Sequence, residues 1–231
     1  MAETKEQTLA DSAYAELRES ILKGRIAPDT LWSDRELAAQ MALSRTPVRE
    51  AVQKLAAEGL VEVIPRRGTR VLPLRSEDVR EIHQIAKALE LEAALLLAGM
   101  PERDLTPMTR AVLDMSAALA REDRDAWAEA DERFHFGIVD GCGNRRLADM
   151  YHRLRGLTDR ARYFALHLRP LPLRSAEEHS EMLKAIGAGD LGRLSDLYQT
   201  HWTRTTEELL ALVEKHSATM PIKSSPREDT R

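Results

Sequence analysis

The stretch Ser33–Leu72 limits what this chain can fold into more than any other. LWSDREL opens a helix: Ser33 stands at an N-cap position, and Glu36 three residues on completes a capping box. Trp32 before the cap can pack on Leu37 as a hydrophobic staple, and Asp34 lies in the first turn, where the helix dipole favours an anion. The spacing predicts a short helix over about Asp34–Met41. ALSRTPVREAVQKLAAEGL then starts another helix at Ser44 or Thr46. Pro47 falls in its first turn, where a missing N–H costs nothing, and Gly59 stops it. Val48, Val52 and Leu55 make its inward face. VEVIPRRGTRVL alternates at Val61 and Val63, turns at PRRG and resumes with Thr69, Val71 and Leu72, as a hairpin does. Upstream, Tyr14, Leu17, Ile21 and Leu22 form one stripe of an amphipathic helix that stops near Gly24 and Pro28. Three helices followed by a hairpin is the element order of a winged helix-turn-helix.

The whole-chain net charge of −4 is weak ground for expecting a nucleic-acid partner, but the charge is unevenly spread. Between Arg45 and Arg70 there are six basic residues (Arg45, Arg49, Lys54, Arg66, Arg67, Arg70) against three acidic ones (Glu50, Glu58, Glu62). Such a local patch is what phosphate contacts need. The run ILKGRIAPDTLWSDRELAAQMALSRTPVREAVQKLAAEGLVEVIPRRGTRV closely resembles the DNA-binding domain of GntR-type bacterial transcription regulators, over about Ala13–Val71. SRTPVREAV followed by GLVEVIPRRGTRV is its most specific part. The resemblance implies binding to double-stranded operator DNA, as a homodimer on a near-palindromic site.

A recognition helix enters the major groove by its N-terminal residues. Here those are Arg45, Thr46 and Arg49, the two arginines lying i, i+4 on one face. Arginine can fork onto guanine O6 and N7 or clamp a phosphate. Arg35, which matches a family contact position, is a further base or phosphate candidate. Arg66 and Arg67 flank the wing tip, and Gly68 allows close backbone approach. The bland alternative is that these arginines only solvate a helix and a turn.

PLRSE (Pro73–Glu77) reads as a linker and a natural route for coupling between two units. Beyond it nearly every segment has helical periodicity, near Glu77–Ala98, Thr106–Ala120, Arg124–Asp140, Asn144–His167, Ser175–Ala188 and Leu191–Lys215. Aromatics are only 4% of the chain, and the abundant Ala, Leu, Arg and Glu are helix formers, so a β-sandwich is excluded. The expectation is a mainly α protein: a winged helix-turn-helix over 1–75, an all-helical effector-binding and dimerisation bundle over 76–216, and a flexible tail over 217–231. The longest apolar run, Leu89–Met100, falls short of the ~20 residues that cross a bilayer and is broken by Glu90 and Glu92. No membrane partner is expected. The N-terminus has no secretory h-region, and the single cysteine, Cys142, fits a reducing cytoplasm.

In DAWAEADERFHFGIVDGCGN, Asp131 and His135 stand i, i+4 on one helical face, and later helices supply His179 and His201. One carboxylate and three imidazoles make a plausible transition-metal set. FHFGIVDGCGN and EEHSEMLKAIGAGD resemble the ligand-binding domain of the FadR-type branch of the same regulators, the FCD domain, over roughly Asp78–Leu212. That resemblance implies a divalent metal held by Asp131, His135, His179 and His201, with zinc first and nickel or manganese next. It also implies a small carboxylate effector that changes DNA affinity, most often by release. Many relatives carry a pocket arginine four residues before the glutamate of ALE, whereas this chain has Ala86; Arg110, Arg160 and Arg162 are the substitutes considered. His83, His152, His167 and His216 read as hydrogen-bonded core histidines, Cys142 as incidental, and most methionines as core filler. The other function class is a metal-dependent hydrolase on the Asp/His site, but the chain offers no HExxH, no G-x-S-x-G and no use for SRTPVRE in such an enzyme.

Overall fold

The computed structural model describes residues 8–166 and 168–217. Residues 1–7, His167, the tail expected over 218–231 and the side chain of His216 lie outside the described residues.

The N-terminal unit has the expected order with one added strand. Helix α1 spans Leu9–Leu22, five residues longer at its start than the apolar stripe predicted. Thr8 caps it in a reciprocal box with Asp11. Helix α2 (Asp34–Gln40) begins at the predicted box: Glu36 N–H donates to Ser33 Oγ at 3.2 Å, and Ser33 N–H donates to Glu36 Oε2 at 2.8 Å. Helix α3 (Arg45–Ala57) starts after Ser44, which places Thr46 inside the helix rather than at its cap. Gly59 ends it in the left-handed region at φ +70°. Val48, Ala51, Val52 and Leu55 are buried and meet Leu17, Ile21, Leu37, Leu60 and Val71 in one core.

The hairpin of β2 (Val61–Ile64) and β3 (Gly68–Val71) is joined by a strand not foreseen, β1 (Leu31–Trp32). The antiparallel order is β1-β3-β2, with Trp32 opposite Thr69 and Val63 opposite Thr69 on the other side. Gly68 is explained by this sheet. Its φ is +124°, and a Cβ there would lie 2.4 Å from the Trp32 carbonyl oxygen. The close approach it allows is therefore to β1.

The C-terminal unit is an all-helical bundle of α4 (Ser76–Gly99), α5 (Thr106–Ala120), α6 (Arg124–Gly141), α7 (Arg145–Arg153), α8 (Arg155–Leu166), α9 (Leu173–Ala188) and α10 (Leu191–Ser217). The single helix expected over Asn144–His167 is two, broken at Leu154. The core is built on Trp127, Phe134, Ile138, Met108, Met115, Met182, Ile186 and Tyr198, all essentially without solvent contact. Met150, by contrast, is exposed. Arg103 closes one end of the bundle by donating to the carbonyls of Ala98, Met100 and Gly187 at 2.6–2.8 Å. Arg124 holds the loop after α8 by donating to the carbonyls of Leu166 and Arg169. Among the described residues no helix is long and apolar enough to cross a membrane.

The two units touch through more than the linker. Leu157 of α8 packs beneath Gly59, and Gly156 fits so closely that a Cβ would lie 2.6 Å from Glu58 Cβ. Tyr163 packs against both cores.

Candidate functional site

Asp131 and His135 lie one turn apart on α6 and point into the bundle, as their spacing requires. Helix α9 brings His179 and α10 brings His201 to the same place. Ring nitrogens of His135, His179 and His201 lie within 4.8 Å of one another, and all three residues are buried. Asp131 Oδ1 is 3.7 Å from His135 Nε2 and 3.5 Å from His179 Nδ1, so the carboxylate adjoins two of the three imidazoles. The ring of His135 stands perpendicular to that of His179 at 4.9 Å.

Two carboxylates that the sequence did not single out orient the imidazoles. Glu90 of α4, fully buried, lies 2.5 Å from His135 Nδ1, and its other oxygen accepts from the Tyr151 hydroxyl at 2.7 Å. Glu178 lies 2.6 Å from His201 Nδ1 and also accepts from Arg204. A carboxylate on the far nitrogen of a histidine fixes its tautomer and raises its basicity as a ligand. His179 differs. It has no solvent exposure, and neither of its ring nitrogens has a hydrogen-bond partner. Buried polar groups are nearly always paired, and leaving one unpaired costs ~1–3 kcal/mol. A divalent ion inside the cluster would supply the missing partner, and three imidazoles plus one carboxylate are a donor set that zinc, nickel or manganese accepts. The residues present thus fit a metal.

The electrostatics separate the groups of the cluster. Burial by itself lowers the pKa of His135, but Glu90 and Asp131 outweigh it and raise it to about 9. Burial alone raises the Asp131 carboxyl, yet Arg162 and then His135 hold it well below the usual carboxylate range. Burial keeps His179 far below its ordinary pKa, so it is a neutral imidazole at pH 7, the form that ligates.

Beside the cluster lies a cavity of about 70 Å³ whose wall includes His83, Asp131, His135, Arg162, Arg169 and His201. Arg162 is the one of the three arginines considered that lines it. Its Nε lies 2.8 Å from Asp131 Oδ2. Arg110 sits on the outer face of α5, largely exposed and 3.0 Å from Asp114, and Arg160 is buried but lines no part of this cavity. Ala86 is packed in the core. Arg169 was missed, although a basic residue in the helix break RPLPLRS was the available signal. Its Nε has no partner, and its guanidinium lies 5.8 Å over the Trp127 ring. His83 is hydrogen-bonded as expected, its Nδ1 2.8 Å from Thr206 Oγ1, but it is half-buried and lines the cavity as well, and burial lowers its pKa to about 4. His152 is outside the core, on the surface, 2.7 Å from Asp140 and stacked on Phe136. Glu90 left one trace in the sequence, as the charge interrupting an apolar run; Glu178 directly precedes His179.

The second candidate surface belongs to the N-terminal unit. Arg45, Thr46 and Arg49 are exposed at the start of α3, and Arg35 is exposed in the first turn of α2. Arg49 Nε lies 3.4 Å from Asp34 but remains 73% exposed, so the pair is weak and displaceable. Arg66 and Arg67 form the exposed turn between β2 and β3, where Arg67 N–H donates to the Ile64 carbonyl at 3.0 Å. Side chains held out this way, with the opposite face of α3 locked in the core, suit groove and phosphate contacts.

Residues 9–71 match the family described as bacterial regulatory proteins, gntR family, and residues 81–204 match the FCD domain. An HTH-type transcriptional regulator from an unstable DNA locus of Streptomyces ambofaciens is 30% identical, over 96% of this chain and 97% of that protein. The HTH-type transcriptional repressor RspR of Escherichia coli is 27% identical, over 91% of this chain and 93% of its own length. The solved structure of E. coli McbR/YncC superposes with a TM-score of 0.73 at 20% identity, covering 91% of this chain and 99% of that one. That structural likeness is one of fold.

Proposed function

This chain belongs to the gntR family of bacterial regulatory proteins and carries its FCD domain, and from that premise we propose that it is an operator-binding repressor governed by a small organic acid at a divalent metal. Arg45 and Arg49 read base edges, Thr46 and Arg35 support them, and Arg66 and Arg67 of the wing hold phosphates. Two copies pair so that two such units meet the two halves of a near-palindromic site, because one small winged helix makes too few contacts for a tight specific complex.

Asp131, His135, His179 and His201 hold the metal, with Glu90 and Glu178 fixing the outer nitrogens of two of them. The observation that carries this assignment is His179, a buried imidazole with no hydrogen-bond partner at either ring nitrogen, in the middle of a ligand set. Bound there, the metal supplies a Lewis-acidic, positively charged point for an oxygen anion. Asp131 offsets only part of a divalent charge, and Arg162 and Arg169 add cations to the same wall. The site therefore favours an anion, in surroundings where water screens weakly. The cavity volume favours a compact acid. A larger surface cavity of about 510 Å³ shares Arg169 and Ser175 with it and offers an approach. For regulation the acid must bind the DNA-bound and free arrangements with different affinity.

The test is calorimetry with a panel of hydroxy- and dicarboxylates on metal-loaded and metal-free protein. Binding that requires the metal, and that weakens the complex with operator, is expected. Equal binding to both forms, or binding only of neutral or long-chain acyl compounds, contradicts the assignment.

A further inference from the structure

The chain has three tryptophans, and their indole N–H groups fare differently. Trp32 of β1 donates from Nε1 to Thr30 Oγ1 at 2.9 Å. Trp127 of α6 and Trp202 of α10 are 1% and 8% exposed, yet neither Nε1 has a hydrogen-bond partner. Both residues line the cavity beside the histidines. Arg169 is on the same wall; its Nη1 lies 3.5 Å from Glu208, and its Nε has no partner. Indole and guanidinium nitrogens are donors only. Leaving such a group buried and unpaired is unfavourable, and native structures seldom do so without a missing water or ligand to account for it. These three belong to the wall of one cavity. Anionic acceptors are scarce there. Among the described residues of that wall Asp131 is the one carboxylate. Its oxygens face Arg162 at 2.8 Å and the rings of His135 and His179 at 3.7 and 3.5 Å, so it is already engaged.

We propose that Trp127, Trp202 and Arg169 form a second, donor-only subsite for the effector, which therefore carries a further carboxylate beyond the oxygens it places at the metal. The inference rests on the metal and effector assignment above and narrows its ligand to a short dianion. A cavity of about 70 Å³ has room for roughly five to seven water molecules, so the two ends of the acid are only a few bonds apart. The oxygens of a second carboxylate pair N–H groups that the protein itself leaves unpaired, and such charge-assisted bonds are the strong ones. A monocarboxylate with an alkyl end leaves those donors as they are. A pocket that presents hydrogen-bonding groups to a ligand rejects the analogue lacking the matching group far better than an apolar pocket rejects a change of size. An amino acid fares worse still. Its ammonium would meet Arg162, Arg169 and the metal, with no unengaged carboxylate on the wall to receive it. Trp127 and Trp202 thus set specificity rather than merely fill the core.

The test compares acids that share one carboxylate and differ at the other end. Calorimetry on the zinc-loaded full-length protein measures malonate and succinate against butyrate and valerate, which replace the second carboxylate by an alkyl end, and against γ-aminobutyrate. The tighter diacid should bind at least about tenfold more tightly than its alkyl counterpart, as hydrogen bonds to a charged group allow. γ-Aminobutyrate should bind more weakly than valerate. Trp127→Phe and Trp202→Phe keep an aromatic ring and remove the N–H, and each should lower the diacid-to-monoacid ratio by about fivefold or more. The ratio isolates the subsite, because damage to the metal site weakens both acids alike. Arg169→Gln, at a side chain 15% exposed, should lower the ratio too and keeps the test decisive if an indole variant folds poorly. In a proton–nitrogen correlation spectrum of the wild type, the indole N–H signals of Trp127 and Trp202 should move downfield with the diacid and stay in place with its alkyl counterpart, with Trp32 as internal control. Diacids no tighter than monoacids, or variants that retain the wild-type ratio, overturn the inference and leave the metal assignment standing. Zinc-loaded protein that binds none of these acids overturns the organic-acid reading and this subsite with it.

Discussion

Glu90→Gln is an informative perturbation because it alters a group that touches no metal while keeping its shape. Glu90 does two opposing things. It orients His135 through the 2.5 Å contact to Nδ1, and it helps hold a proton on that ring by raising its pKa to about 9. A metal at Nε2 requires the neutral ring, so at pH 7 binding must expel a proton held by about two pKa units, a cost of about 3 kcal/mol. Replacing Glu90 by Gln relieves part of that cost. Against this stands the loss of an oriented ligand, ~10–100-fold in metal affinity, together with one less buried negative charge beside a dication. Above about pH 9 the wild-type ring is already neutral and the relief vanishes, so only the loss remains. The sign follows. Wild-type zinc affinity should rise by about tenfold per pH unit between pH 7 and 9 and then level off, with about one proton released per zinc at pH 7. The Glu90→Gln deficit should widen over the same interval and reach ~10–100-fold near pH 9. Chelator competition at a series of pH values, with calorimetry in two buffers to count protons, makes the measurement. Equal zinc affinity of variant and wild type near pH 9 would refute the idea that Glu90 supports a ligand.

Other consequences are more direct. Arg45→Ala and Arg49→Ala should each weaken operator binding by about 1–3 kcal/mol, and Arg66→Ala and Arg67→Ala should each lower the slope of affinity against salt by about one, read by fluorescence anisotropy across salt concentrations; an Arg45→Ala variant with parental affinity would remove α3 as the reader. Gly68→Ala should destabilise the N-terminal unit by ~1–3 kcal/mol in urea unfolding, since the added Cβ falls 2.4 Å from the Trp32 carbonyl at a φ of +124°. Sedimentation should show a dimer with two copies per operator; a 26.0 kDa species alone, on and off DNA, would contradict the pairing.

What the sequence revealed depended on how local each determinant is. The box at Ser33 and Glu36, Pro47 in the first turn of α3 and Gly59 after it act over three or four residues, and each is visible in the string. Asp131 and His135 were readable for the same reason, being one helical turn apart. The strand Leu31–Trp32 was not, because it exists only through pairing with β3, some forty residues on, and two residues carry no periodicity. The break at Leu154 has no proline to mark it. The chain turns there through bonds from the Leu157 and Thr158 N–H groups to the Leu154 carbonyl, next to Gly156, whose lack of a side chain serves a contact with Glu58 in the other unit. Glu90 and Glu178 look like any helical glutamates until the fold sets them against histidines. Of the three arginines considered, only Arg162 falls on the cavity side of α8, a placement that composition alone does not give.

The metal content of the purified protein bears most directly on the central claim. Elemental analysis should find about one divalent ion per chain in the wild type and none in the double variant His179→Ala, His201→Ala, which should also lose the pH-dependent uptake of added zinc. A wild type without metal that also takes up none when zinc is supplied, or a double variant with unchanged content, would contradict it.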